Sequence, residues 1–177
     1  MNGKWVVRLP LVLLLIAGMA AGCKPAEPEE NCAGGISASG DDEAVICTDK
    51  TEYQYGEIVY VRFTFTNLSD EPLELNGGSE AAMDICDWCP GPHKACWSDR
   101  QELTSEQTRL VLPPKGSHTL EWAWPPSQVD ADECLDRRMQ RFVPVSFSAI
   151  LRYRPDSRSS TFSVRIKYYP EGNYPGE

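Results

Sequence analysis

The chain has 177 residues, with 17 basic and 26 acidic side chains giving a formal charge of −9, and 41% of it is hydrophobic. Such an acidic surface is repelled by phosphates and anionic headgroups, which argues against nucleic acid and against electrostatic membrane binding while leaving cationic partners open. Only two histidines occur, so a histidine-dependent hydrolase is disfavoured from the outset.

Lys4 and Arg8 precede an uncharged, leucine-rich run from Leu9 to Gly22. Fourteen residues are too few to cross a bilayer as a helix, so residues 1–22 read as a signal peptide. Small residues then lead directly into a cysteine, in Ala20-Ala21-Gly22-Cys23. This resembles the lipobox of bacterial lipoproteins, which implies diacylation of Cys23 and a mature chain that begins there. Lys24 is not the aspartate that in enterobacterial lipoproteins favours the inner membrane, so the resemblance points to an outer-membrane anchor if the host has two membranes. Without residues 1–22, 15 basic and 26 acidic side chains remain, a formal charge of −11. Residues 23–42 have little apolar bulk and read as a lipid-anchored flexible tether, with a span of roughly 20 to 25 Å. About 135 residues follow, enough for one domain with a real core.

In the body, Glu43–Cys47 is the first strand candidate. The strongest strand signal is Ile58–Asn67, where Val59, Val61, Phe63 and Phe65 alternate with Tyr60, Arg62, Thr64 and Thr66. One face is wholly apolar and must be buried against a second layer. Leu73–Leu75, Ala81–Cys86, Ala95–Ser98 and Arg109–Leu112 are short strand candidates, and Pro113–Gly116 is a tight turn. Ser117–Trp124 places His118, Leu120, Trp122 and Trp124 on one face. Residues 125–142 read as an insertion in which 130–139 could form a short helix, acids leading and arginines following. Val145–Tyr153 and Thr161–Tyr168 form a hairpin, and residues 170–177 a frayed tail. Seven to eight short strands with almost no helical periodicity predict an all-β, two-layer antiparallel sandwich over residues 43–169.

The order of Tyr55-Gly56-Glu57, a strand ending Thr66-Asn67, Pro72-Leu73, Met83-Asp84-Ile85, Cys96-Trp97-Ser98, Leu112–Gly116 and Trp122 resembles the immunoglobulin-like domain of the BsuPI type, named for an intracellular proteinase inhibitor. The resemblance covers about residues 43–168. It implies a small Ig-like fold common in exported bacterial proteins, with no catalytic residues to carry over. Export, the lipobox and the cysteine content depart from the namesake and weaken any transfer of proteinase inhibition.

Seven cysteines occur, and lipidation of Cys23 leaves six: Cys32, Cys47, Cys86, Cys89, Cys96 and Cys134. An even number in an exported chain reads as a disulfide framework. The densest group is Cys86-Asp87-Trp88-Cys89-Pro90-Gly91-Pro92-His93-Lys94-Ala95-Cys96. Three thiols and an imidazole are also the ligand types of four-coordinate zinc, so Cys86, Cys89, His93 and Cys96 stand as an alternative metal set beside structural disulfides, with no cofactor in the main reading. A redox reading of Cys86-x-x-Cys89 is weaker, because its Trp precedes the second cysteine rather than the first and the pair ends a strand, not at a helix N-terminus.

In an Ig-like order, the segment holding Cys86 to Cys96, the insertion holding Cys134 and the end of the Cys47 strand share one end of the sandwich. This predicts Cys134 bonded to one of Cys86, Cys89 or Cys96, the other two paired, and Cys32 bonded to Cys47. Trp97, Trp122 and Trp124 are expected in the core and His118 at its rim or within it. Trp88, Pro90, Pro92 and His93 are binding candidates. Asn67-Leu68-Ser69 matches a glycosylation acceptor, of little weight in a bacterial chain. Acids appear scattered over turns and solvent faces, and no pair stands out as general acid and base.

The expectation is therefore a non-enzymatic, lipid-anchored envelope protein whose Ig-like module binds a protein partner. Proteinase inhibition through loop 87–95 is the alternative, and a metal or redox site at Cys86–Cys96 the second.

Overall fold

The structure, a computed structural model, describes residues 30–88, 95–125, 142–154 and 159–169. Cys23, the tail and the expected helix over 130–139 lie outside them. Ten strands form among the described residues: β1 (Asn31–Ile36), β2 (Asp42–Thr48), β3 (Glu52–Gln54), β4 (Val59–Asn67), β5 (Leu73–Asn76), β6 (Met83–Trp88), β7 (Arg109–Leu112), β8 (Ser117–Trp124), β9 (Val143–Leu151) and β10 (Ser159–Tyr169). One sheet runs β1-β2-β4-β8 and is antiparallel throughout; the facing sheet runs β3-β10-β9-β6, and β5 and β7 form a separate ribbon. The all-β sandwich is as expected, with more strands than the seven or eight read from the sequence.

β4 is central because it is buried on one face and wet on the other. Val59, Val61, Phe63 and Phe65 are buried while Tyr60 and Arg62 are exposed. β8 repeats the pattern with Leu120, Trp122 and Trp124, in register with Phe63, Val61 and Val59. The opposite sheet answers with Val145, Phe147 and Ala149 of β9 and Val164, Ile166 and Tyr168 of β10. Phe147 meets both indoles edge to face, with ring centres 6.1 Å from Trp122 and 5.5 Å from Trp124, the arrangement that aligns positive ring edges with negative faces.

Three expectations are corrected. Residues 31–42 are not tether: β1 pairs with β2 along its whole length and the Cys32–Cys47 disulfide closes the pair. Composition misled here, because ladder hydrogen bonds and a covalent staple order a segment that has little to bury. Gly34 makes the approach possible, since a Cβ there would lie 2.4 Å from the Ala44 carbonyl oxygen. Secondly, the sandwich is not wholly antiparallel, because β3 runs parallel to β10. The chain leaves β2, crosses to the edge of the second sheet, and returns to β4 through a turn at Gly56, whose φ of +83° suits glycine. Tyr53 anchors this detour: it is fully buried, and its hydroxyl donates to Asp49 Oδ1 at 2.5 Å. Thirdly, Ala95–Ser98 is not a strand. Cys96 makes one bridge to Cys86, and the chain then turns into a 3-10 helix, Trp97–Arg100.

Asn67 has a structural use that its acceptor motif hid. Its side chain is buried; Nδ2 donates to the Glu71 and Pro113 carbonyls at 2.8 and 3.0 Å, and Oδ1 accepts from the Ser69 hydroxyl at 2.7 Å.

Candidate functional site: the braced base of the 89–94 loop

β6, Met-Asp-Ile-Cys-Asp-Trp, is buried on both faces except at Trp88. Its inner face places Ile85 in the core, and Asp87 at the edge of the core beside Trp124. Its outer face, carrying Asp84 and Cys86, is covered by the returning segment from Ala95. The strand therefore holds two carboxylates that are each 1% exposed. A buried carboxylate is tolerated only when donors converge on it.

For Asp87 those donors come from the returning segment at Ala95 and from the opposite sheet. Oδ1 accepts the Ala95 amide at 2.7 Å, Oδ2 accepts Trp124 Nε1 at 2.8 Å, and the Asp87 amide donates to the Ala95 carbonyl at 2.8 Å. For Asp84, Oδ2 accepts the Ser98 hydroxyl at 2.7 Å and Oδ1 the Ser98 amide at 3.2 Å. Asp99 adds a further tie, its Oδ2 accepting the Cys96 amide at 2.7 Å. The Cys86–Cys96 disulfide lies beside Asp84 on the outer face and packs on Ile150. Both feet of the loop are thus fixed by one covalent bond and by hydrogen bonds on each side of it.

Beside Asp84, Arg152 is also buried. Its Nη1 donates to the Ala81 carbonyl at 2.6 Å, its Nη2 pairs with Glu80, and Asp84 Oδ2 stands 3.9 Å from Nη1. Burial raises the Asp84 carboxyl above its ordinary range, against the Ser98 hydrogen bonds and the Arg152 charge. A depression of about 410 Å³ opens here, lined by Glu80, Asp84, Cys96, Ser98, Asp99 and Arg152 among others.

The site candidates divide as follows. Cys86 and Cys96 are brought together as a disulfide, and Cys32 pairs with Cys47. In that state neither Cys86 nor Cys96 offers a thiolate, so the four-ligand metal set loses two members, although Asp84 and both sulfurs lie within 4.8 Å of one another. Trp88 is 47% exposed, at the foot of the loop. Cys89, Pro90, Pro92, His93 and Cys134 lie outside the described residues. Trp122 and Trp124 are core, whereas Trp97 is only partly buried against it, having left β-structure for the 3-10 turn. His118 is exposed, in a shallow groove with Leu110, Val111 and Trp97.

Asp84, Asp87 and Arg152 were not singled out by sequence. The available signal was local: two acids inside an apolar strand, one on each face, next to a cysteine. An acid placed there is either at an edge or held by buried donors.

The described residues define a disulfide-stapled β-sandwich in which the end of β6 and the segment from Ala95 are tied together by Cys86–Cys96 and by Asp87. No family model matches the chain, and no curated protein matches it. Among solved structures it is similar to an alkylpurine DNA glycosylase AlkC from Pseudomonas fluorescens bound to DNA containing an abasic site analogue, at 9% identity and a TM-score of 0.39, over 67% of this chain and 27% of that one. It is likewise similar to a β-glucosidase from Erythrobacter marinus, at 14% identity and a TM-score of 0.41, over 78% of this chain and 15% of that one. The chain thus spans well under a third of either protein.

Proposed function

We propose that this protein is an exported, lipid-anchored envelope protein of the Ig-like BsuPI kind that acts by binding rather than by catalysis, and that residues 88–95 are its recognition element. The observation that carries the reading is the double bracing of that segment by the Cys86–Cys96 disulfide and the buried Asp87 hydrogen bonds. A pre-ordered base lowers the entropy lost when a loop binds. The buried carboxylates Asp84 and Asp87 accept hydrogen bonds from the segment returning at Ala95–Ser98 and from Trp124. The anchor rests on Lys4, Arg8, the apolar run and Ala20–Cys23, and two disulfides fit an oxidising compartment.

A photo-crosslinking residue at Trp88 or His93 tests this in the native envelope, with Thr119 on the outer face of β8 as control. Adducts to one envelope protein from the first two positions, lost when Cys86 and Cys96 are both changed to Ala, are expected. Equal adducts from Thr119 would overturn the reading. The same bracing favours a second reading, proteinase inhibition through loop 87–95. Inhibition of a serine proteinase by the purified chain, with the loop left uncleaved, would select it over the first.

A further inference from the structure

The two disulfides differ in their access to a thiol from solvent. Cys86 and Cys96 are 0% and 8% exposed and lie against Ile150, with the Asp99 carboxylate holding the Cys96 amide. Cys32 is exposed, directly opposite Cys47 in the β1–β2 pair, and Cys47 is 7% exposed. The bridge sits on the outer face of its sheet: Ala44 and Ile46 turn inward from β2, whereas Cys47 stands opposite the exposed Arg62 of β4. A thiolate attacks a disulfide in line, from the side away from the sulfur it displaces. That side belongs here to β1, the last strand of its sheet among the described residues, so Cys32 is the sulfur within reach and Cys47 the one expelled.

The surroundings assist the departure of Cys47. Glu30 Oε2 stands 3.9 Å from Cys32 Sγ, and a bare carboxylate there would repel an incoming thiolate. Arg62 Nη2 removes that obstacle by donating to both Glu30 oxygens at 2.8 Å. Lying opposite Cys47, the guanidinium is also the cation beside which the Cys47 thiolate forms, and an adjacent cation makes a thiolate a better leaving group. β1 itself has little to keep it in place once the bridge opens. None of its six residues is buried, and beyond its ladder with β2 it is tied by Asn31 Nδ2 to the Thr48 hydroxyl at 3.2 Å and the Arg165 carbonyl at 3.0 Å. Ordering such a segment, with Gly34 and Gly35 at its centre, costs backbone entropy that its small apolar contact does not offset.

We propose that Cys32–Cys47 is a thiol–disulfide exchange site for a dithiol reductant, and that its reduction releases β1 from the sheet. The first thiolate of the dithiol bonds to Cys32 Sγ as the Cys32–Cys47 bond breaks, and the electron pair leaves on Cys47, which takes a proton from solvent. The second thiol then displaces Cys32 from the mixed disulfide, and Cys32 is protonated in turn. Two electrons and two protons have passed to the protein, and the dithiol has become a disulfide. The first residue held by the sandwich moves from Glu30 to Asp42, twelve residues further on, and the β2 edge is bared. This goes beyond the binding reading and stands or falls separately from the role of residues 88–95.

The test uses the full chain, purified in its oxidised form. Dithiothreitol is added under native conditions, and timed alkylation followed by peptide mass analysis reads each cysteine. Cys32 and Cys47 should be alkylated about ten-fold faster than Cys86 and Cys96, or more. A dithiol oxidoreductase of the thioredoxin type, its second active-site cysteine changed to serine, should be trapped on Cys32. Arg62→Gln should slow the reduction about three-fold or more. Hydrogen exchange after reduction should find the β1 amides unprotected and those of β4 still protected. Alkylation of both pairs at one rate, or trapping on Cys47, overturns the exchange site, and a rate untouched by Arg62→Gln overturns the part given to Arg62. β1 amides that stay protected after reduction overturn the release.

Discussion

Asp87 and Trp124 join the two sheets through a buried hydrogen bond of 2.8 Å, and removing either partner strands the other. In Asp87→Ala the Ala95 amide and Trp124 Nε1 both lose their acceptor in a site that is almost wholly dry. An unsatisfied buried donor costs about 1–3 kcal/mol, and two of them with the small void left behind give about 3–5 kcal/mol. Trp124→Phe keeps the ring contacts with Phe147 and Tyr168 in part, but deletes the Nε1 donor. The two single changes and the double change form a cycle in which the lost packing cancels and the hydrogen bond remains. A coupling of about 1 kcal/mol or more is expected for a buried side-chain hydrogen bond. Urea unfolding of the oxidised domain, followed by circular dichroism, measures it. Hydrogen exchange adds a local readout, since the Ala95 amide should exchange faster in Asp87→Ala by more than the global loss accounts for. A coupling below about 0.5 kcal/mol would refute the view that this carboxylate joins loop and sheets.

Asp84 gives a pH dependence of opposite sign to the usual carboxylate. Burial raises its folded pKa above the ordinary 3.8, so between that value and the raised one the native chain holds a proton that the unfolded chain releases. Its contribution to stability therefore falls as pH rises through that window. Asp84→Asn does not titrate, so its stability relative to the wild type should improve as pH climbs from about 4 and level off above the window; a flat or opposite difference in urea midpoints would count against the argument. Changing Cys32 and Cys47 together to Ala releases a loop with a sequence separation of 15, at an expected cost of about 3 kcal/mol, and should speed exchange of the β1 amides before those of β4. Gly34→Ala drives a methyl group into the β2 backbone, 2.4 Å from the Ala44 oxygen and 2.7 Å from the Val45 Cα. It should cost about 2–3 kcal/mol, and a melting temperature equal to wild type would show that β1 can shift without loss.

What the sequence determined by itself was whatever depends on short-range alternation. Val59–Phe65 and Leu120–Trp124 place apolar side chains at every second position, and with a side-chain period of two that alone selects which face is buried and which register is allowed. The bounds of β7 and β8 were legible for the same reason, flanked as they are by proline and glycine. The pairing of Cys32 with Cys47 was within reach because the Cys86–Cys96 group and Cys134, placed at one end of the sandwich, leave these two for each other. Where the sequence was silent, a partner distant in the chain made the decision. Asn31–Cys32-Ala-Gly-Gly-Ile36 has too little apolar surface to read as a strand, and becomes one only on the edge that β2 offers. Glu52-Tyr-Gln54 is three residues long and is a strand because β10 passes beside it. Asp84, Asp87 and Arg152 look like surface charges until the Ala95–Ser98 segment, Trp124 and the Ala81 carbonyl converge on them. Trp97 reads as an alternating core residue, yet the bridge at Cys96 and the Asp99 cap turn the chain away before it can alternate. Periodicity records how a segment divides between core and water, whereas a buried charge or an edge strand exists only once another part of the chain has supplied its hydrogen bonds.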